Sequence, residues 1–178
     1  MISWLGGRSI FEKRKNRITV SVAGIAPDID GVGLLIDTGL RIFNMQTNYW
    51  GAWHHNLHSL PFCIVVSIVA AAFVKGQRVL TFVVAFILFN LHVFCDLIGS
   101  KGPDGFQWPI PYFYPFQSEI LFSWSGQWEL NAWQNILISA ASILAIWFLI
   151  KSKETTPLEV FSKKLDEVLK KIVVDGNA

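Results

Sequence analysis

The sequence predicts an all-α protein: a helical integral membrane protein with three to four membrane helices and a C-terminal amphipathic helix. Three observations carry this reading. The 178 residues are 52% hydrophobic and only 16% charged, whereas a soluble domain has about a quarter charged. The apolar residues are gathered into runs. Residue types that are costly in lipid stand at the ends of those runs, as Pro27-Asp28-Ile29-Asp30, His54-His55-Asn56-Leu57-His58 and His92-Val93-Phe94-Cys95-Asp96.

The N-terminal segment carries Arg8, Lys13, Arg14, Lys15 and Arg17, with no long apolar run directly behind it, unlike a signal peptide. Ile18 to Ala26 is apolar but short. It reads as the end of a partly buried fourth helix, or as a re-entrant piece leading into Asp28. The clear runs are Leu60 to Val74, Val79 to Ile98 and Ile136 to Ile150. A bilayer core needs about 20 helical residues. The second run is long enough; the other two reach if neighbours such as Trp53 and Trp133 extend them into the interface.

Lys75-Gly76-Gln77-Arg78 joins the first two runs as a tight hairpin, and Lys151 and Lys153 follow the third. Placing both basic sites on one side satisfies the positive-inside rule and makes that side cytoplasmic. Residues 99 to 133 then form a long loop on the outer side. Its Phe106, Trp108, Tyr112, Phe113, Tyr114, Trp124, Trp128 and Trp133 suit an interfacial aromatic belt. Pro103, Pro109, Pro111 and Pro115 resist regular helix there, so the loop either caps a site and grips an acyl chain or simply anchors the protein.

Beyond Thr155 the pattern changes. Pro157 can open a helix; Leu158, Phe161, Leu165, Val168, Leu169 and Ile172 recur at helical spacing, with Lys163, Lys164, Lys170 and Lys171 on the other face. This amphipathic helix lies on the cytoplasmic membrane surface or packs on the protein itself or a partner. The chain thus divides into a membrane-embedded domain, 1–154, and a tail, 155–178. A net charge of +2 does not argue for nucleic acid. Cys63 and Cys95 sit in apolar runs and read as buried thiols.

The candidate ligands form one set. His54 and His58 are four residues apart and share a face if that stretch is helical, as do His92 and Asp96. A tight hairpin brings these ends together, giving three imidazoles and a carboxylate, while Asp28 and Asp30 can supply oxygens to one ion or bridge two. Zinc accepts nitrogen and oxygen ligands, and mixed His/Asp sets also suit manganese and iron. Taken singly, each group has a simpler reading: an interfacial imidazole, or a turn and helix cap for Asp28 and Asp30. His92 and Asp96 inside an apolar run are the hardest to explain that way. His55 points away from His54 and reads as a residue behind the ligands, one facing a substrate, or simply an interface residue. Asp37 reads as a residue behind the ligands or as a partner for Arg41.

The motifs Ala26-Pro27-Asp28-Ile29-Asp30-Gly31, His54-His55-Asn56-Leu57-His58-Ser59-Leu60 and His92-Val93-Phe94-Cys95-Asp96-Leu97 are followed by Gly99-Ser100-Lys101-Gly102-Pro103-Asp104-Gly105-Phe106-Gln107-Trp108-Pro109-Ile110-Pro111. In this order they resemble the bacterial membrane-bound metal-dependent hydrolase family, the LexA-regulated inner-membrane hydrolases, over most of residues 20 to 150. The resemblance implies a metal-dependent hydrolase site on Asp28, Asp30, His58, His92 and Asp96. The interval between first and last histidine is one residue shorter here than in the family pattern, which leaves the first role open between His54 and His55. The ligand types are also similar, more loosely, to those of zinc-dependent phospholipases C.

The expectation is a multi-pass inner-membrane metallohydrolase. One or two divalent ions, zinc first and manganese next, would be held by Asp28, Asp30, His54 or His55, His58, His92 and Asp96. Metal-activated water would attack an ester or phosphoester of a lipid or lipid-linked substrate at the outer interface. Glu129 and Glu119 are the nearest other carboxylates for catalytic acid–base work. Expected partners are membrane lipids and a lipid-like substrate. The alternative is a divalent-metal transporter or metal-binding membrane protein, which wants its ligands near the midplane.

Overall fold

A computed structural model describes residues 1–54, 56–153 and 155–175. Among them every regular element is helical: α1 (Ile2–Ile10), α2 (Arg14–Gly24), a 3₁₀ turn (Ala26–Gly31), α3 (Val32–Arg41), α4 (Tyr49–Trp53), α5 (Leu60–Phe73), α6 (Arg78–Gly99), α7 (Trp133–Lys153), a 3₁₀ turn (Pro157–Val160), α8 (Lys163–Lys170) and a π turn (Lys171–Asp175). The all-α expectation holds. Two helices, α6 and the Trp133–Ser152 stretch of α7, are long and apolar enough to cross a membrane. A third candidate is the bent pair Arg14–Gly24 and Ala26–Arg41, which turns by 56°.

The α5 run, expected as a membrane span, is an apolar helix of only 14 residues. At 1.5 Å per residue it covers about 21 Å, short of a core of about 30 Å. Trp53 does not extend it, because α4 is a separate short helix. The reason is local: Pro61 sits in the first turn of α5. Proline fits there but cannot accept a helix continuing upstream, since its ring clashes with the carbonyl four residues back. His54 and His58 therefore lie in the turn between α4 and α5, not on one helical face. That corrects the helical-spacing argument for this pair, while His92 and Asp96 do share a face of α6.

Helices α1 and α2 form an antiparallel pair laid against α6. Gly24 makes the close approach possible: a Cβ there would stand 2.5 Å from Ser3 Oγ and 3.2 Å from Leu88 Cβ. Small residues at helix crossings are the usual device for tight packing in lipid. The buried interior then runs as Phe11, Val20, Ala23, Ala70, Val84, Ala85 and Leu88. It continues towards the other end as Ala26, Cys63, Phe89, Val93 and Ile110.

The bundle has two chemically distinct ends. At the basic end, the α5–α6 hairpin turns through Gly76 and Gln77, both at positive φ, and Gln77 Oε1 accepts from Asn16 Nδ2 at the start of α2 (3.3 Å). The chain beyond α7 arrives at the same end, where Arg8 Nε donates to Thr155 Oγ1 (2.9 Å). The expected common placement of Lys75, Arg78 and Lys151 follows from these contacts. At the opposite end the aromatic loop folds over α5 and α6. Leu60 N donates to Tyr112 O (2.7 Å), Gln127 Nε2 to Asp96 O (2.8 Å) and Asn135 Nδ2 to Gly99 O (2.7 Å).

The tail docks by its polar side. Glu159 is fully buried, held bidentately by Arg17 (2.7 and 2.5 Å) and by Trp4 Nε1 (3.0 Å). Asp166 accepts from Thr156 N (2.8 Å). Phe161, Leu165, Val168 and Ile172 are left exposed on the outside. The amphipathic helix thus turns its acidic anchors to the protein and its apolar stripe away from it.

Candidate metal centre

The turn after α2 splits the two aspartates. Pro27 opens the 3₁₀ turn, and the tight winding sends Asp28 and Asp30 to different partners. Asp28 Oδ1 lies 3.3 Å from His92 Nε2. Asp30 is buried, with Oδ2 3.2 Å from His58 Nδ1 and Oδ1 3.7 Å from His54 Nδ1. Asp96, one turn beyond His92 on α6, places Oδ2 3.1 Å from both His58 Nε2 and His92 Nε2. Asp28, His58 and His92 each offer a donor atom within 4.8 Å of the others.

Two features suit a divalent ion. Charge-assisted N–H···O bonds close to about 2.7–2.9 Å. The Nε2-to-carboxylate separations here are 3.1–3.3 Å, near the distance of about 3.3 Å between ligands of a tetrahedral zinc with bonds of about 2.0–2.1 Å. His92 Nε2 is also buried without a well-formed hydrogen bond, although two carboxylates flank it. A lone pair aimed between carboxylates is what a cation would take up. Asp30 has a different part. By accepting from His58 Nδ1–H it turns Nε2 towards Asp96 and the cluster, the carboxylate–histidine arrangement that orients metal-binding imidazoles.

His58 is 2% exposed. Burial alone would lower its pKa, but the hydrogen bonds to Asp30 and Asp96 and the charges of both outweigh that and raise it. Between two carboxylates, His58 therefore holds a proton more readily than a free imidazole does, and an ion bound at its Nε2 would compete with that proton.

His54 completes the approach from the loop side. It stacks on Trp50 (ring centroids 3.7 Å apart) and meets Trp108 edge-on at 4.9 Å. Trp50 is itself set by Asp37, which also lies in the field of Arg41, the partner the sequence offered for it. Asp37 does more than that. It anchors α4, accepting from Tyr49 N (2.9 Å), Trp50 N (2.8 Å) and Thr47 Oγ1 (2.7 Å). Asp37→Ala leaves those donors without their acceptor and should cost about 1–3 kcal/mol. Denaturation of the protein in micelles measures it; an unchanged midpoint would show that α4 is held by other contacts.

The structure brings together Asp28, Asp30, His54, His58, His92 and Asp96. His55 lies outside the described residues. Glu119 and Glu129 are exposed in the loop, and among the described residues neither hydrogen-bonds nor pairs with the cluster. Spacing also missed Asn90, whose Oδ1 accepts from Tyr112 Oη (2.5 Å) and whose Nδ2 donates to Phe86 O (2.9 Å), pinning the loop to α6. A lone amide two residues before His92 in an apolar run was the available signal.

The pattern described as YdjM inner membrane protein matches residues 2–161. The chain belongs to the YdjM inner membrane protein family. The match takes in every residue of the cluster and Glu159, so membership of the YdjM family covers the membrane helices, the loop and the start of the tail. No curated protein and no solved structure matches the chain.

Proposed function

We propose that this YdjM-family protein is a membrane-embedded, metal-dependent hydrolase acting on an ester or phosphoester of a lipid or lipid-linked substrate at the outer face of the inner membrane. The observation that carries the reading is the convergence of His58 Nε2, His92 Nε2 and the Asp28 and Asp96 carboxylates at separations suited to one ion. A bound divalent ion, zinc by ligand type, supplies a Lewis acid and a water acidic enough to ionise near neutrality.

The chain's own groups do the rest. Asp30 fixes the His58 ring and, on its other oxygen, faces His54. That makes His54, beside the cluster, the group we assign to take and return a proton, ahead of Glu119 and Glu129, which are exposed in the loop. The aromatic loop, tied down at Tyr112 and Gln127, covers the cluster on the side of His54 through Trp108.

Depth favours hydrolysis over transport. His92 is seven residues from the end of α6, about 10 Å along the axis, and Asp96 less than half that. Transport sites lie near the midplane. The basic end is the one the positive-inside rule assigns to the cytoplasm, which supports the outer placement of the cluster. The test is hydrolysis of phospholipid and lipid-ester vesicles by purified protein loaded with zinc or manganese. Turnover that follows metal content supports the reading; a fully metal-loaded protein inert on every lipid class would overturn it.

A further inference from the structure

The tail carries its large apolar side chains in one row. Phe161, Leu165, Val168 and Ile172 follow one another at helical spacing and are 79%, 49%, 48% and 55% exposed. A continuous apolar row of this kind marks a contact surface. Its direction is fixed from the other side of the helix. Asp166 is buried and accepts from Thr156 N (2.8 Å). Just upstream, Arg17 and Trp4 hold the Glu159 carboxylate, and Arg14 Nη2 donates to the Glu159 carbonyl (2.5 Å). These contacts keep α8 from rolling its row onto the bundle.

The four lysines of the tail, alike in the sequence, divide into two pairs. Lys163 and Lys170 turn to acids one turn away, Glu167 (3.9 Å) and Asp166 (3.2 Å). Lys164 and Lys171 are exposed. They lie four residues before and three after Val168, so both border the apolar row along the same edge.

The level of the helix follows from α7. Near its end Lys151 Nζ lies 4.6 Å from the centre of the Trp147 ring. A tryptophan and a lysine one turn apart at the end of an apolar span mark the headgroup region. Helix α7 stops at Lys153, the 3₁₀ turn opens at Pro157, and the π turn that ends the tail touches α7 again. Helix α8 therefore lies across the basic end of the bundle instead of projecting into water.

We infer that α8 is an interfacial helix that docks the basic end of the protein on anionic lipid of the cytoplasmic leaflet, with its apolar row at the headgroup–acyl boundary and Lys164 and Lys171 on lipid phosphates. An amphipathic helix with large apolar side chains on one face and lysines beside them is built for that boundary. Charge complementarity selects the lipid class. The exposed Lys75 and Arg78 of the α5–α6 hairpin stand at the same end, so the positive surface reaches beyond α8, and anionic headgroups are what the cytoplasmic leaflet offers to it. The docking does not depend on the hydrolase reading.

The experiment uses the full-length protein in vesicles, with Cys63→Ala and Cys95→Ala and one nitroxide label attached through Val168→Cys or, as a reference on the far side of the helix, Lys163→Cys. Collision of the label with oxygen, relative to a water-soluble nickel chelate, reads membrane depth. In vesicles of phosphatidylethanolamine and phosphatidylglycerol the ratio should be several-fold higher at Val168 than at Lys163. Lys164→Gln with Lys171→Gln should lower the Val168 ratio about fivefold, since a lysine near an anionic surface contributes binding of that order. Vesicles of phosphatidylcholine alone should lower it likewise. A Val168 label as open to the chelate as that at Lys163 would overturn the docking. So would a label closed to both reagents, which is the mark of a second copy or a partner protein covering the row. A high ratio that is equal in both vesicle types and in the double glutamine variant would overturn the assignment to anionic lipid.

Discussion

Alanine at His92, His58 or Asp96 should reduce zinc bound by the purified protein to background, a loss greater than about 100-fold in affinity. Each removes a donor atom from a set whose members stand 3.1–3.3 Å apart. Asp30→Ala removes only the carboxylate that orients His58, so it should cost about 10–100-fold. Glu119→Ala and Glu129→Ala should bind zinc as the wild type does, because both lie exposed in the loop. Metal analysis and competition titration with a chromogenic chelator measure all six. Full zinc occupancy in His92→Ala and Asp96→Ala would dispose of the site. The titration should also weaken as pH falls, because the proton that Asp30 and Asp96 hold on His58 competes with the ion. The same raised pKa works oppositely on the metal-free fold. Its contribution is full below the ordinary imidazole value and is lost as pH rises through the raised one.

Glu159→Ala should cost about 3–5 kcal/mol, because it strands the Arg17 guanidinium in a buried site built for a carboxylate. Trp4 Nε1 loses its acceptor in the same change. The consequence reaches beyond the tail, since Arg17 belongs to α2, the helix that ends at the Asp28–Asp30 turn. The double variant Arg17→Met with Glu159→Leu should recover most of the loss, as apolar replacements of buried pairs often do. Unfolding in mixed micelles gives the comparison. A single variant within about 0.5 kcal/mol of wild type would mean that Arg17 finds water or another partner.

Much of this architecture could be read from the chain because lipid imposes simple rules. The Val79 to Ile98 run became α6 almost to the residue, as an uninterrupted apolar stretch has little other use. His92 and Asp96 were legible for the same reason: polar groups in such a run need partners. The α5 start was less legible. Counting His54 and His58 as one helical face ignored Pro61, whose ring closes the helix off below them. The two histidines still meet the same aspartate, but through a turn.

The sequence by itself determined the helical class, the apolar spans, the opposed basic and aromatic ends, and the residue types that gather at the second. Those follow from hydrophobicity, charge and 3.6-residue periodicity, which act locally. Only the tertiary structure decided the division of labour. It sent Asp28 to His92 and Asp30 to His58 and His54, turned Asp37 into the anchor of α4, and buried Glu159 of the tail against Arg17 at the start of α2. Each is a contact between segments far apart in sequence. Its partner is selected by how helices cross and where turns aim their side chains, information that no single stretch of chain contains.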